Sequence, residues 1–191
     1  MADPARRRAT YQDLVAAPRH LVAELVRGTL QTHPRPAPAH ARTTSRLGMR
    51  LGGAFDQGDG GPGGWWILDE PELHFASGDV LVPDIAGWRV ERMPELPSKA
   101  FFDIVPDWIC EVLSPSTEAE DRADKMPIYA EEGVQNAWLV DPLLKTLEVH
   151  RREGKQWLVI GTYKADAKLR AEPFEAIELE LASLWAPPAK K

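Results

Sequence analysis

A carboxylate inside the most apolar stretch of the chain sets the tightest limit on its fold. Glu111 interrupts Trp108-Ile109-Cys110-Glu111-Val112-Leu113, a run that otherwise reads as a buried strand. An ionised carboxylate there is costly unless it is paired or binds a cation. With a strand period of two, Glu111 shares a face with Ile109 and Leu113, while Cys110 and Val112 face the other way. Asp84 repeats the situation within Val80-Leu81-Val82-Pro83-Asp84-Ile85-Ala86, 27 positions earlier. That separation allows a loop and a return to an adjacent strand. On neighbouring strands the two acids would form a two-carboxylate oxygen site. Magnesium suits such a site, because it keeps several waters and takes one or two carboxylates plus substrate phosphate. The alternative for either acid is a strand-end carboxylate bonded to backbone or to an arginine.

Around these acids the pattern is mixed. Thr10 and Asp13 open a short helix over Tyr11–Ala17. Leu21–Val26 and Thr29–Thr32 read as a hairpin turning at Gly28. Pro34, Pro36 and Pro38 interrupt regular structure, and a helix follows from about His40 to Phe55 with Leu47, Leu51 and Phe55 on its apolar face. Gly58–Gly64 is a loop. It lacks the Gly-Lys-Ser/Thr ending of a phosphate loop. Trp65–Leu68, Glu72–Phe75 and Val80–Trp88 are strand candidates, and Arg89–Pro106 reads as a long surface connection. Thr117 and Glu120 match a capping box for a helix running toward Gly133, with Pro127 as a kink or restart. Ala137–Val140 is a buried strand, Thr146–Arg151 and Gln156–Tyr163 form a second hairpin, and Ile177, Leu179 and Leu181 give a last short strand. A loose tail is expected from Pro187. Most strands lie in hairpins, which predicts α+β or mixed α/β rather than a regular βαβ array.

Charge and composition exclude several classes. No apolar run approaches the roughly 20 residues that span a bilayer, so no membrane partner is expected. Met1–Ala9 is polar and no signal-peptide core follows it, so export is not expected. The single cysteine, Cys110, allows neither an internal disulfide nor a multi-cysteine zinc site. A cytoplasmic location is the simple expectation. The formal charge of −6 argues against a general nucleic-acid coat protein. It is uneven, however: residues 1–52 hold nine arginines against three acids. Arg42, Arg46 and Arg50, four apart on one helix face, are candidates for DNA phosphate contacts; the alternative is a solvated basic surface.

Asp121 and Lys125 form an i, i+4 pair on the helix after Glu111. They read either as an exposed ion pair or as a pair whose lysine points back over the strand ends, where it could orient a water or offset phosphoryl charge.

Val82-Pro83-Asp84-Ile85, then Glu111-Val112-Leu113-Ser114-Pro115-Ser116-Thr117, then Asp121, Lys125, Tyr129, Gly133-Val134 and Trp138-Leu139-Val140-Asp141-Pro142 come in one order. This arrangement resembles the Uma-two family of restriction-endonuclease-like proteins, within the PD-(D/E)xK nuclease superfamily. Thr10-Tyr11 to Leu14, Glu24-Leu25-Val26-Arg27-Gly28 and the His40-led helix resemble the family's start. The sequence departs at Arg27, where the family usually has an acid. The resemblance spans about Tyr11 to Trp185. It implies one restriction-endonuclease-like domain over 1–191, with a central mixed sheet flanked by helices. Asp84 and Glu111 are implied as metal ligands. The superfamily lysine normally stands two residues after the second acid, where this chain has Leu113, and Lys125 is the displaced match. Glu24, His40 and Asp121 are implied neighbours of the metal; the alternative for His40 is capping or packing its helix, the commoner role of a lone histidine at a helix start.

These features predict a metal-dependent endodeoxyribonuclease that uses Mg2+, with Mn2+ as an alternative ion. Its catalytic residues would be Asp84, Glu111 and Lys125, its partner DNA and, by analogy, a second copy in a homodimer. The alternatives are a non-catalytic DNA-binding or assembly module that keeps the nuclease fold, and a folded partner-binding protein.

Overall fold

The apolar run around Glu111 forms β7 (Trp108–Val112), an inner strand of a six-stranded sheet in the computed structural model, which describes residues 7–187. Its neighbours are β6 (Ile85–Arg89), antiparallel, and β8 (Asn136–Asp141), parallel. The sheet is completed by β3 (Trp65–Asp69) beyond β6, and by β9 (Thr146–Glu153) and β10 (Gln156–Lys164) beyond β8. One parallel pair among antiparallel ones makes the sheet mixed, as expected.

Both faces of β7 are covered, which is why its sequence is apolar at every position but one. Trp108, Cys110 and Val112 pack with Leu47, Leu51, Phe55 and Phe174. The first three of those four partners come from helix α2 (Pro38–Leu51) and the π-helical turn Gly52–Asp56 that follows it. Ile109 packs on the opposite face with Met126, Ile128 and Tyr129 of helix α4 (Met126–Glu132). Each fully buried Ile or Val is worth about 1.5–3 kcal/mol by removal from water, so the strand is held strongly on both sides.

A second sheet holds β1 (Val22–Val26), β2 (Thr29–His33), β4 (Leu73–His74) and β5 (Val80–Leu81) in the order β2-β1-β5-β4. The β1–β2 turn places Arg27 and Gly28 at φ 52° and 79°, the paired positive φ values of a tight hairpin turn. The Asp79 carboxylate accepts the Arg27 N–H at 2.6 Å and anchors that turn. A small pair, β11 (Lys168–Leu169) with β12 (Leu179–Glu180), closes against the core near the C-terminus.

Several expectations need correction. Val80–Trp88 is two strands in two different sheets, β5 and β6, broken at Val82-Pro83-Asp84. Pro83 has no N–H to give a ladder and allows the crossing. Asp84 therefore lies at the break and not within a strand. Only Leu73–His74 of Glu72–Phe75 is strand. Arg89–Pro106 is not purely a surface connection, since Phe102 exchanges backbone hydrogen bonds with Glu72 and His74, and Met93 is buried. At the end, Leu179–Glu180 is strand, but Leu181 begins a 3-10 turn. The first helix, α1, stops at Val15. Arg6 and the tail after Pro187 lie outside the described residues.

The helix after β7 starts at Glu118 (α3, Glu118–Glu120), passes through a π-helical turn at Asp121–Lys125 and continues as α4. Its capping box does not form: Thr117 is the cap residue, but its hydroxyl lies 3.0 Å from the Ser114 hydroxyl and no side-chain cap bond is made. Pro127 sits in the first turn of α4, where its missing N–H costs little. Gly133, at φ 104°, ends the helix in the left-handed conformation.

Candidate active site

The register of β6 and β7 brings the two acids together. Ile85 pairs with Cys110, so continuing the antiparallel ladder by one residue sets Asp84 against Glu111. The Val112 N–H donates to Asp84 Oδ2 at 2.7 Å, and the Asp84 N–H reaches Glu111 Oε2 at 3.4 Å. The sheet edge thus fixes both carboxylates by backbone contacts. Glu111 faces α4, on the side shared with Ile109, as the period of two requires.

Lys125 and Asp121 come from the π-helical turn. The wider turn buries both ends of what could have been a solvent-exposed ion pair; π turns of this kind recur at functional sites. The Lys125 ammonium is 2.8 Å from Glu111 Oε1, 3.2 Å from Glu24 Oε1 and 3.3 Å from Asp121 Oδ1, with its side chain 5% exposed. Glu24, on β1, is carried in from the other sheet and accepts the Val82 N–H at 2.7 Å. His40, in the first turn of α2, lies with Nε2 3.3 Å from Asp84 Oδ1. Tyr129 of α4 donates its hydroxyl to Glu111 Oε1 at 2.7 Å.

Glu24, His40, Asp84, Glu111, Asp121 and Lys125 form the floor of a cleft of about 300 Å³, with Tyr129 behind it. Its rim carries Ser114, Ser116 and Thr117 on one side and the Pro34–Ala37 segment on the other. Arg35 on that rim makes a 3.3 Å bridge to Glu70, with both side chains about half exposed.

Four carboxylates, Glu24, Asp84, Glu111 and Asp121, face one lysine on the floor. Burial is the largest influence on Glu111, Asp121 and Lys125, and the neighbouring charges act against or with it. Burial pushes Glu111 well up from the usual carboxylate range; Lys125 pulls against it, and Asp121, Asp84 and Glu24 add to it. Burial likewise raises Asp121, with Lys125 again opposing. Burial works against the charged form of Lys125, but Glu111 and Glu24 outweigh it and hold the ammonium charged. Burial also lowers His40, yet its contact with Asp84 prevails and the imidazole is raised overall. Burial and Glu111 push Tyr129 well up, so its hydroxyl stays a donor.

The donor set fits a hard divalent cation. On Glu111, Oε1 takes the Tyr129 and Lys125 donors while Oε2 has only a long contact; on Asp84, Oδ2 takes the Val112 N–H and Oδ1 faces His40 Nε2 at 3.3 Å. Two carboxylates plus waters is the coordination magnesium accepts, and manganese is chemically close. Among the described residues no group of three or more His, Cys, Asp and Glu is placed to hold a metal ion by itself, so an ion at Asp84 and Glu111 would take its remaining ligands from water or substrate.

Of the residues singled out from the sequence, Asp84, Glu111, Lys125, Glu24, His40 and Asp121 all line this cleft. Arg42, Arg46 and Arg50 are not brought to it. Arg42 Nε donates to the Trp185 carbonyl at 3.1 Å and Arg46 Nε to the Ser183 carbonyl at 3.3 Å. Two further residues contact these groups without a functional signal in the sequence pattern. His33, the last residue of β2, has Nε2 3.5 Å from Glu24 and 3.4 Å from Glu120. The sequence pattern ends that strand at Thr32, and a histidine directly before the proline run is the signal it offers. Tyr129 is part of the recurrent motif, but its spacing gave no hint of a bond to Glu111.

A mixed sheet with paired acids at an inner strand end, a helix packed over them and a lysine supplied from that helix defines a restriction-endonuclease-like domain. The chain belongs to the Uma2 family, described as "Putative restriction endonuclease", whose model matches residues 8–183. It is similar in fold to a solved structure from Anabaena variabilis described as "a putative nuclease belonging to DUF820". The TM-score is 0.73 and the identity 22%, over 92% of this chain and 96% of that one. No curated protein matches the chain. Among the described residues no helix is long and apolar enough to cross a membrane.

Proposed function

We propose that the protein is a metal-dependent deoxyribonuclease with its centre at Asp84 and Glu111. The observation that carries this reading is the charge imbalance on the cleft floor, four carboxylates with a single ammonium, which lies within 3.3 Å of three of them. Membership of a restriction-endonuclease family supports it. Asp84 and Glu111 would hold Mg2+, or Mn2+ in its place; the ion would supply an activated water and offset charge on the phosphate. His40 orients Asp84 through its Nε2 contact. Lys125 keeps Glu111 in place and puts a fixed positive charge beside the position where phosphoryl charge develops.

The test is cleavage of single- and double-stranded DNA with magnesium and with a chelator. The native chain should cut only with the metal, Asp84→Ala should not cut, and Lys125→Met should bind the ion yet cut far more slowly. Metal-independent cutting, or equal cutting by Asp84→Ala, overturns the assignment. A second reading, a DNA-binding module without catalysis, is favoured by one observation: Lys125 is almost wholly buried and tied to three carboxylates. Salt-dependent DNA binding with no cleavage under any divalent ion would select it.

A further inference from the structure

We infer that Tyr129 is a positioning residue for the cation, selecting which oxygen of Glu111 faces the cleft. The inference rests on the reading of Asp84 and Glu111 as cation ligands. The two oxygens of Glu111 are unequal. Oε1 takes two strong donors, the Tyr129 hydroxyl at 2.7 Å and the Lys125 ammonium at 2.8 Å. Oε2 has only the long 3.4 Å contact with the Asp84 N–H. The doubly held oxygen is turned toward α4, and the weakly held one toward Asp84.

Lys125 alone would fix this orientation poorly. Its ammonium is shared with Glu24 and Asp121 at 3.2 and 3.3 Å, so it can move within a triangle of acceptors. Tyr129 cannot. Its ring is fully buried in the core on that face of the sheet and meets Phe75 edge-on at 6.1 Å. Its hydroxyl brings direction without charge, so it orders Glu111 while leaving the negative excess of the floor for a cation. Outer hydrogen-bond partners of this kind typically change metal affinity 10- to 100-fold when removed.

The experiment is titration of the full chain with Mn2+ alone, followed by the loss of the free-ion electron paramagnetic resonance signal, alongside thermal melts in chelator. Tyr129→Phe keeps the ring and should weaken Mn2+ binding about tenfold, with a melting temperature in chelator close to native. Phe75→Leu disturbs the packing of the same ring but keeps the hydroxyl; it should lower the melting temperature and leave Mn2+ affinity as it was. In a Glu111→Ala background, which removes the oxygen that Tyr129 holds, adding Tyr129→Phe should weaken any residual binding no further. If Tyr129→Phe binds Mn2+ like the native chain while Glu111→Gln does not, the positioning role is refuted and the cation site stands. The role is also refuted if Tyr129→Phe costs the same factor with or without Glu111. If Asp84→Asn and Glu111→Gln both bind Mn2+ like the native chain, the cation site itself is wrong and this inference falls with it.

Discussion

Glu111→Gln should make the metal-free chain more stable and its response to magnesium smaller. Removing one partner of a buried ion pair usually destabilises by several kcal/mol, because the other charge is left alone. Here it is not left alone: Lys125 keeps Glu24 at 3.2 Å and Asp121 at 3.3 Å. Glutamine still offers an oxygen to the Tyr129 hydroxyl in place of Glu111 Oε1. What disappears is the desolvation of a carboxylate whose side chain is 3% exposed, together with its repulsion from three other acids. A net gain of about 1–2 kcal/mol is reasonable for relieving such a site. In a domain of this size each kcal/mol moves the melting temperature by about 2–4 °C, so the variant should melt about 2–8 °C above the native chain in chelator. Magnesium at about ten times its dissociation constant should then stabilise the native chain by about 1.4 kcal/mol and the variant by little, closing most of the gap. Scanning calorimetry with and without the ion reads both effects. A variant that melts below the native chain in chelator, and gains as much from magnesium, would refute the argument from excess charge.

Three other outcomes follow from the rest of the fold. Burial holds the His150 imidazole below its ordinary value, with nearby Glu148 opposing, so the folded chain binds fewer protons there than the unfolded chain. That stability is present above about pH 6.5 and is lost as pH falls through the imidazole range, so His150→Leu should show a flatter melting-temperature profile between about pH 7 and 5; equal slopes would remove His150 as a contributor. Arg46→Ala should cost about 1 kcal/mol in urea unfolding through its lost bond to the Ser183 carbonyl, and an unchanged midpoint would mean that this contact does not hold the C-terminal segment. Cys110 is fully buried, and burial pushes its thiol well up, so a thiol reagent should modify it only as fast as the chain unfolds; rapid native labelling would contradict the packing of β7.

Much of this arrangement was legible in the sequence because it follows from local rules. The alternation around Glu111 fixed which neighbours share its face, and the structure keeps that division between the α4 side and the α2 side. The hairpins and the apolar stripe of Leu47, Leu51 and Phe55 are likewise periodic signals. The failures came where the chain leaves a period. Val80–Trp88 looks continuous because its hydrophobicity runs through Pro83, yet the ladder cannot, and the chain changes sheets there. The Asp121–Lys125 spacing suits an exposed ion pair on an ordinary helix; only the π-helical turn and the docking of β1 make it buried. The three arginines were correctly set on one helix, but two of them serve carbonyls of the C-terminal segment, a contact between positions more than 130 apart that no local pattern records.

The irregular points also share a place. The break at Pro83 releases Asp84 from the ladder, the π turn brings in Lys125 and Asp121, and the β1 hairpin delivers Glu24, all to one end of β7. The other face of the same strand is ordinary. There Trp108, Trp138 and Phe55 surround Phe174 at ring separations of 4.6 to 5.6 Å, contacts worth about 0.5–1.5 kcal/mol each beyond burial. The chain therefore separates two jobs across one sheet. An aromatic core on one side holds β7 rigid, and that rigidity lets the strand end present carboxylates that repel one another. Loss of the acids should leave this core intact, whereas disturbance of Trp108 or Phe174 should loosen the floor of the cleft along with the fold. That asymmetry confines the cost of three carboxylates gathered within 3.3 Å of one lysine to the end of β7, away from the packing that holds the strand.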